Sequence, residues 1–290
     1  MIPTQALFGQ LLIGLINGAF YAMLSLGLSV IFGLLNIINF AHGAQYMMGA
    51  FVAYFALQWA GLGYWPSLLI APLVVGLLGV VLERTMLKRL YHLDHLYGLL
   101  LTFGVALVVQ GVFRNEFGSS GLPYAAPRQL SGGYNLGFMF LPTYRGWVVV
   151  FSLVVCVATW YVIERTKLGA YLRAATENPT LVQAFGINVP RMITLTYGFG
   201  VGLAALAGVL AAPIYQVNPL MGADLIIVVF AVVVIGGLGS IMGSIITGFG
   251  LGVVEGFTKV FYPEASNTVI FVIMALVLLV RPTGLFGRTT

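Results

Sequence analysis

Apolar residues fill the chain in long stretches broken by short polar segments. Nine windows stand out, at 7–35, 44–62, 65–82, 96–113, 146–163, 192–212, 225–238, 239–257 and 265–280. The apolar positions run on continuously within them. This predicts helices rather than the alternating ten-residue segments of a membrane barrel. Most windows approach the ~20 apolar residues that a helix needs to cross a bilayer. Two do not: helices over 225–238 and 265–280 measure roughly 21 and 24 Å, against about 30 Å of hydrocarbon. The first runs into Gly236-Gly237-Leu238-Gly239-Ser240, a strong helix breaker. The pattern predicts a broken element over 225–257: a half-helix, a turn at membrane depth built on Gly236, Gly237 and Gly239, and a second helix. Irregular backbone is not tolerated against lipid, so the turn is expected to pack on protein or line a cavity. The expected fold is an all-α polytopic membrane protein, one transmembrane domain over 1–290. It would hold about eight or nine segments, counting the re-entrant pair.

Composition narrows the class further. Of 290 residues, 60% are hydrophobic and 7% charged, where a soluble domain carries about 25% charged residues. So few charges cannot clothe a soluble surface, which excludes a soluble enzyme, a nucleic-acid binder and a disordered chain. No Asp, Glu, Lys or Arg precedes Glu83, and 192–223 and 225–254 are also free of them. The net charge of +5 comes from bases at the ends of apolar windows, where loops meet anionic lipid. With alternating crossings, nine bases fall on one side (Arg84, Lys88, Arg89, Arg165, Lys167, Arg173, Arg191, Arg281, Arg288) and four on the other (Arg114, Arg128, Arg145, Lys259). The positive-inside rule then puts the N-terminus outside and the C-terminus in the cytoplasm. Met1-Ile2-Pro3-Thr4-Gln5 has no basic stretch and reads as the start of a span, not a signal peptide. The single Cys156 lies in an apolar window and is expected to face lipid or pack.

Three loops carry the polar residues: 83–95 and 164–191, expected in the cytoplasm, and the Gly-, Pro- and Tyr-rich 114–145, expected outside. Loop 164–191 contains a punctuated short helix. Asn178 suits the N-cap, Pro179 the first helical position and Gly186 the C-terminal cap. Leu181, Val182 and Phe185 give it one apolar face, and Arg173 and Glu177 flank it at helical spacing. Such a helix could dock into a groove on a cytoplasmic partner or simply lie at the interface. Asn36, Asn39 and His42 recur every third residue, followed by Gln45. Polar groups near membrane depth often mark pathways, although these could equally cap two spans. Tyr215, Gln216, Asn218 and Asp224 occupy an external connection and could meet a substrate amine or carboxylate, or form a hydrated loop. Glu255 and Lys259 have the i, i+4 spacing of a structural ion pair. Gly14 and Gly18, Gly198 and Gly202, and Gly248, Gly252 and Gly256 are spaced for close helix contact, within the chain or with a second subunit. His42 has no neighbouring ligand, and His92, Asp94 and His95 sit in a charged loop, so no metal is expected. There is no phosphate-binding G-x-x-x-x-G-K-[ST] loop, so the chain cannot hydrolyse ATP in that way.

Several stretches resemble one family. Asn17-Gly18-Ala19-Phe20-Tyr21-Ala22-Met23-Leu24 through Gly33-Leu34-Leu35-Asn36-Ile37-Ile38-Asn39-Phe40-Ala41-His42-Gly43 is similar to the N-terminal signature of permease subunits of branched-chain amino-acid ABC importers. Arg173-Ala174-Ala175 with Asn178, Ala184 and Gly186-Ile187, the Gly236–Ser240 break, and Arg281-Pro282-Thr283-Gly284-Leu285-Phe286-Gly287 resemble it too. The resemblance runs in order through the whole chain. It implies a type II importer fold and a permease in the bacterial inner membrane that binds no cofactor itself. Its implied partners are a second, related permease, two cytoplasmic ATPases that use ATP, and an external substrate-binding protein. Loop 164–191 would be the coupling segment seated on an ATPase. Substrate would move by alternating access, and family members of this shape also carry urea or short amides. A stand-alone channel is the rival from another class: Asn-Pro occurs at Asn178-Pro179 and Asn218-Pro219, but neither pair is followed by Ala.

Overall fold

Every one of the nine windows is occupied by a helix in the computed structural model, which describes residues 4–35 and 37–287. The order is α1 (Thr4–Leu35), α2 (His42–Ala60), α3 (Tyr64–Thr85), α4 (His95–Phe117), β1 (Gly133–Asn135), β2 (Phe140–Pro142), α5 (Thr143–Arg165), α6 (Lys167–Glu177), α7 (Pro179–Ala184), α8 (Val189–Tyr215), α9 (Ala223–Gly236), α10 (Ile241–Phe261) and α11 (Val269–Val280). Among the described residues, six of these (α1, α3, α4, α5, α8 and α10) are long and apolar enough to cross a membrane. Helices α9 and α11 have only 14 and 12 residues, and α2 is interrupted by His42, Gln45 and Gln58. The long loop 114–145 is more ordered than its composition suggests. It holds the β1–β2 hairpin, with Tyr134 opposite Leu141. Arg288, one of the bases in the orientation argument, and Met1, Ile2 and Pro3 lie outside the described residues.

Contacts divide the chain into two units. The first comprises residues up to 26, 125–156 and those from 227 onward. Its glycine stripes find each other: a Cβ on Gly18 would come within 2.9 Å of Phe249 Cα, and one on Gly256 within 3.0 Å of Gly14 Cα. Helices α1 and α10 therefore cross backbone to backbone, so these glycines serve contacts within the chain. Tyr21 Oη donates to Glu255 Oε2 at 2.6 Å, and Lys259 pairs with the same carboxylate. The buried Glu255 is thus the structural ion pair that its spacing suggests. Helix α9 stops at Gly236 because Gly237 (φ 101°) and Gly239 (φ 81°) adopt left-handed backbone. The segment after α11 covers the stop: Leu285 N–H donates to Ile235 O at 2.8 Å and Phe286 N–H to Gly236 O at 3.1 Å. These bonds satisfy carbonyls that a helix end leaves open. The predicted half-helix, glycine turn and second helix are all present. Helix α10 alone has 21 residues, roughly 31 Å, and is long and apolar enough to cross the hydrocarbon by itself.

The second unit comprises 27–124 and 157–226. Helix α8 is its buried axis, packed against α2 and α3. Gly76 on α3 and Gly198 on α8 bring those two backbones together, since a Cβ on Gly76 would lie 3.0 Å from Gly198 O. Ile31, Ile37, Val75, Leu87, Tyr197, Val201 and Ala205 form the core. Phe51 of α2 packs edge-on against Phe113 of α4, and Phe51 and Phe55 both meet Phe117 at tilted angles. In the first unit, Cys156 of α5 is fully buried and so packs rather than facing lipid.

Candidate functional site

The first candidate region is the α1–α2 junction. Asn36 lies outside the described residues. Asn39, His42 and Gln45 are all buried, and Asn39 Nδ2 donates to Gln45 Oε1 at 2.9 Å. The link before α2 is held from α4: Thr102 Oγ1 donates to Ile38 O at 3.2 Å and accepts from Phe40 N–H at 3.1 Å. His42 fits because α1 is a glycine where they meet; a Cβ on Gly27 would stand 2.9 Å from its Cε1. Asn39 Oδ1 is buried without a hydrogen-bond partner among the described residues. A native fold rarely leaves such an acceptor idle, so it is suited to a ligand group.

The second region is the link between α8 and α9. Gln216 has a positive φ of 62°, which turns the chain sharply at the end of α8. Val217 bridges to Leu122 in the long loop, with N–H···O distances of 2.8 and 3.0 Å. Asn218 Oδ1 accepts from Leu220 N–H at 2.9 Å, so part of its role is to build the turn. Tyr215 is half exposed. The link then returns to α2: Gly222 and Gly43 touch backbone to backbone, with no room for a side chain on either. The structure thereby brings the stretch carrying Asn218 onto the first turn of α2, between His42 and Gln45. Sequence separation gave no sign of this meeting.

The third region is the loop 164–191. The punctuation is as the sequence predicts: Asn178 Oδ1 accepts from Leu181 N–H at 2.9 Å, Pro179 opens α7, and Gly186 has φ 82°. The expected single apolar face is divided, however. Val182 is 6% exposed and turns inward, while Leu181 at 54% and Phe185 at 78% project outward. Arg173 is engaged at home rather than offered at a rim: it donates to Ile163 O at 3.0 Å and pairs with Glu164 at 3.4 Å. Glu177 is exposed. An additional helix, α6, precedes α7. Gly169 lets it fold onto the end of α5, against the Ile163 backbone.

One residue escaped the sequence reading. Glu83 is buried at the end of α3, where its carboxylate accepts from Tyr91 Oη at 2.6 Å and Thr194 Oγ1 at 2.7 Å. Burial, reinforced by the bond to Glu83, pushes the Tyr91 hydroxyl well above its usual range, so it remains a donor. The node ties loop 83–95 to α8. Beside it Tyr91, His95 and Ile37 share a cavity of about 300 Å³ with Ala175, Thr176 and Pro179 of the α6–α7 segment. A signal existed: Gly76, Gly79 and Glu83 lie at i, i+3 and i+7 on one face of α3.

With this geometry in view, comparison with known proteins is informative. The family model described as "Branched-chain amino acid transport system / permease component" matches residues 10–278. The chain is 33% identical over 297 residues to the high-affinity branched-chain amino acid transport system permease protein BraD of Pseudomonas aeruginosa, covering 96% of this chain and 95% of that one. It is 31% identical over 296 residues to LivH of Escherichia coli K12, with 96% and 95% covered. It also matches LivM of the same organism, at 28% identity over 297 residues, covering 93% of this chain and 68% of that one.

Proposed function

This chain belongs to the branched-chain amino acid transport permease family, and from that premise we propose that it is one membrane subunit of an ATP-driven importer for branched-chain or other hydrophobic amino acids. The observation that carries the proposal is the family match over residues 10–278. The chain is a multi-pass membrane protein of helices. Energy would come from two cytoplasmic ATPases seated on the α6–α7 segment, and substrate from an external binding protein. Likeness to both LivH and LivM supports pairing with a second, related permease. Asn39, His42, Gln45 and the 216–222 link would line the pathway near its narrowest point, with Asn39 Oδ1 able to accept from a substrate ammonium group. Alternating access would open this cluster to each side in turn.

Purification of the tagged chain from its native membrane should bring two ATPases and a second permease with it. Vesicles holding that complex should accumulate labelled leucine only when both ATP and the binding protein are supplied. Uptake of urea or acetamide in place of leucine would move the substrate to the amides. Equilibration without ATP would instead leave a passive channel.

The nine-to-four division of bases supports an inner-membrane orientation with the N-terminus outside and the C-terminus in the cytoplasm. An alkaline phosphatase fused after Thr290 should therefore be inactive. Strong activity there would reverse the orientation.

A further inference from the structure

Tyr197 of α8 carries a hydroxyl that its own packing does not use. The residue is fully buried, in the core that also holds Ile31, Ile37, Val75 and Val201. Its Oη has no hydrogen-bond partner among the described residues. It addresses the Gln45 side chain without closing a bond to it. Gln45 Oε1 in turn accepts from Asn39 Nδ2 at 2.9 Å, and Asn39 Oδ1 is the other unpaired atom of this group. Buried polar atoms are nearly always paired, and an idle one destabilises the fold that keeps it. Here two idle atoms, one on the link before α2 and one on α8, are joined through a single glutamine. A polar ligand between them would complete the bonding.

The chemistry narrows that ligand. Asn39 Oδ1 can only accept, whereas Tyr197 Oη–H can donate. An ammonium and a carboxylate ask for these two roles. No Asp, Glu, Lys or Arg occurs in 37–60 or 192–215, so α2 and all but the first turn of α8 supply no fixed charge. His42 is buried and engaged in contacts of its own. Glu83 is within electrostatic reach of Tyr197, but its two oxygens already accept from Tyr91 Oη and Thr194 Oγ1. A ligand of net charge would therefore be buried without a counter-ion, which is costly. A zwitterion carries its own, and its hydrocarbon side chain would meet the apolar neighbours of the Tyr197 ring.

Resting on the reading of this chain as an amino-acid permease, we propose that Tyr197 is a specificity-determining residue. Its Oη–H donates to the substrate carboxylate while Asn39 Oδ1 accepts from the ammonium, and the site admits amino acids of zero net charge. Both atoms are closed off from solvent in this structure, so they meet substrate in the step of alternating access that parts α8 from α2.

The test is binding of radiolabelled leucine to the purified permease–ATPase complex, without the binding protein, whose own affinity would mask the site. Tyr197→Phe keeps the ring and removes only the hydroxyl. It should weaken leucine binding by about tenfold or more, the worth of one hydrogen bond to a charged group. Its melting temperature should equal or exceed that of the wild type, because no internal bond is lost. Tyr124→Phe is the control: that hydroxyl is also buried and unpaired, beside Ser67 of α3, and its loss should leave leucine binding unchanged. Valine should displace the label, whereas lysine and glutamate should not. Wild-type leucine binding by Tyr197→Phe would overturn the proposal, as would displacement by lysine or glutamate equal to that by valine. A joint fall in binding and melting temperature would overturn it too, by assigning the hydroxyl to the fold. A wild-type complex that binds no leucine although its vesicles accumulate leucine would overturn this proposal and leave the permease reading standing. Binding of acetamide in place of leucine would bring down the substrate reading and this proposal together.

Discussion

Gly237→Val should leave almost no folded protein in the membrane. Gly237 has φ 101°, and a β-branched residue held in such a region costs about 1–3 kcal/mol. A Cβ there would also lie 2.8 Å from Gly287 Cα and 3.0 Å from Phe286 C. These neighbours are backbone and cannot rotate away, so the Arg281–Gly287 segment must lift. Its two hydrogen bonds to Ile235 O and Gly236 O go with it, at about 1 kcal/mol each. The sum is a large share of a total stability of about 5–15 kcal/mol. Gly132→Val separates strain from clash, because Gly132 has φ 106° but open space around it. Fluorescence-detected size exclusion of tagged variants should show a monodisperse peak for Gly132→Val and aggregate for Gly237→Val. If Gly237→Val runs as the wild type does, the clasp is not structural.

Phe185→Ala should separate the permease from its motor while leaving the permease folded. Phe185 is 78% exposed, so its loss removes no internal packing. If it anchors an ATPase groove, truncation costs about 2 kcal/mol, roughly thirtyfold in affinity. Leucine uptake and substrate-stimulated ATP hydrolysis should fall together, with thermal stability unchanged. Val182→Ala should do the opposite, lowering thermal stability because Val182 turns inward. Gly186→Val reaches the uncoupled state by another route: its φ of 82° strains a valine although nothing crowds it. Wild-type uptake and ATPase retention in both Phe185→Ala and Gly186→Val would mean that α7 is merely interfacial.

Much of the architecture was legible because membrane insertion imposes strong local rules. Every apolar window became a helix, since a backbone in lipid must satisfy its own hydrogen bonds. The caps at Asn178, Pro179 and Gly186 depend only on neighbouring residues, and all three occur as read. Glu255 and Lys259 meet because helical spacing alone puts them together.

What failed to show in the sequence depends on which helix faces which. Glycine stripes announced close crossings, but only the fold matched Gly14 and Gly18 with the stripe on α10, and Gly198 with Gly76. The three apolar residues of α7 read as one face, yet the packing beneath took Val182 and left Leu181 and Phe185 outside. Glu83 looked like the first charge of a loop; contacts with Tyr91 and Thr194, the latter 111 positions away, made it a buried node. The meeting of Gly43 with Gly222 spans most of the chain and follows no periodicity. Helices, caps and family were readable along the chain, because hydropathy, capping and spacing act within a few residues. Packing alone brought Gly222 onto Gly43 and closed the clasp over Gly237, because each arises where volumes on distant segments must fit.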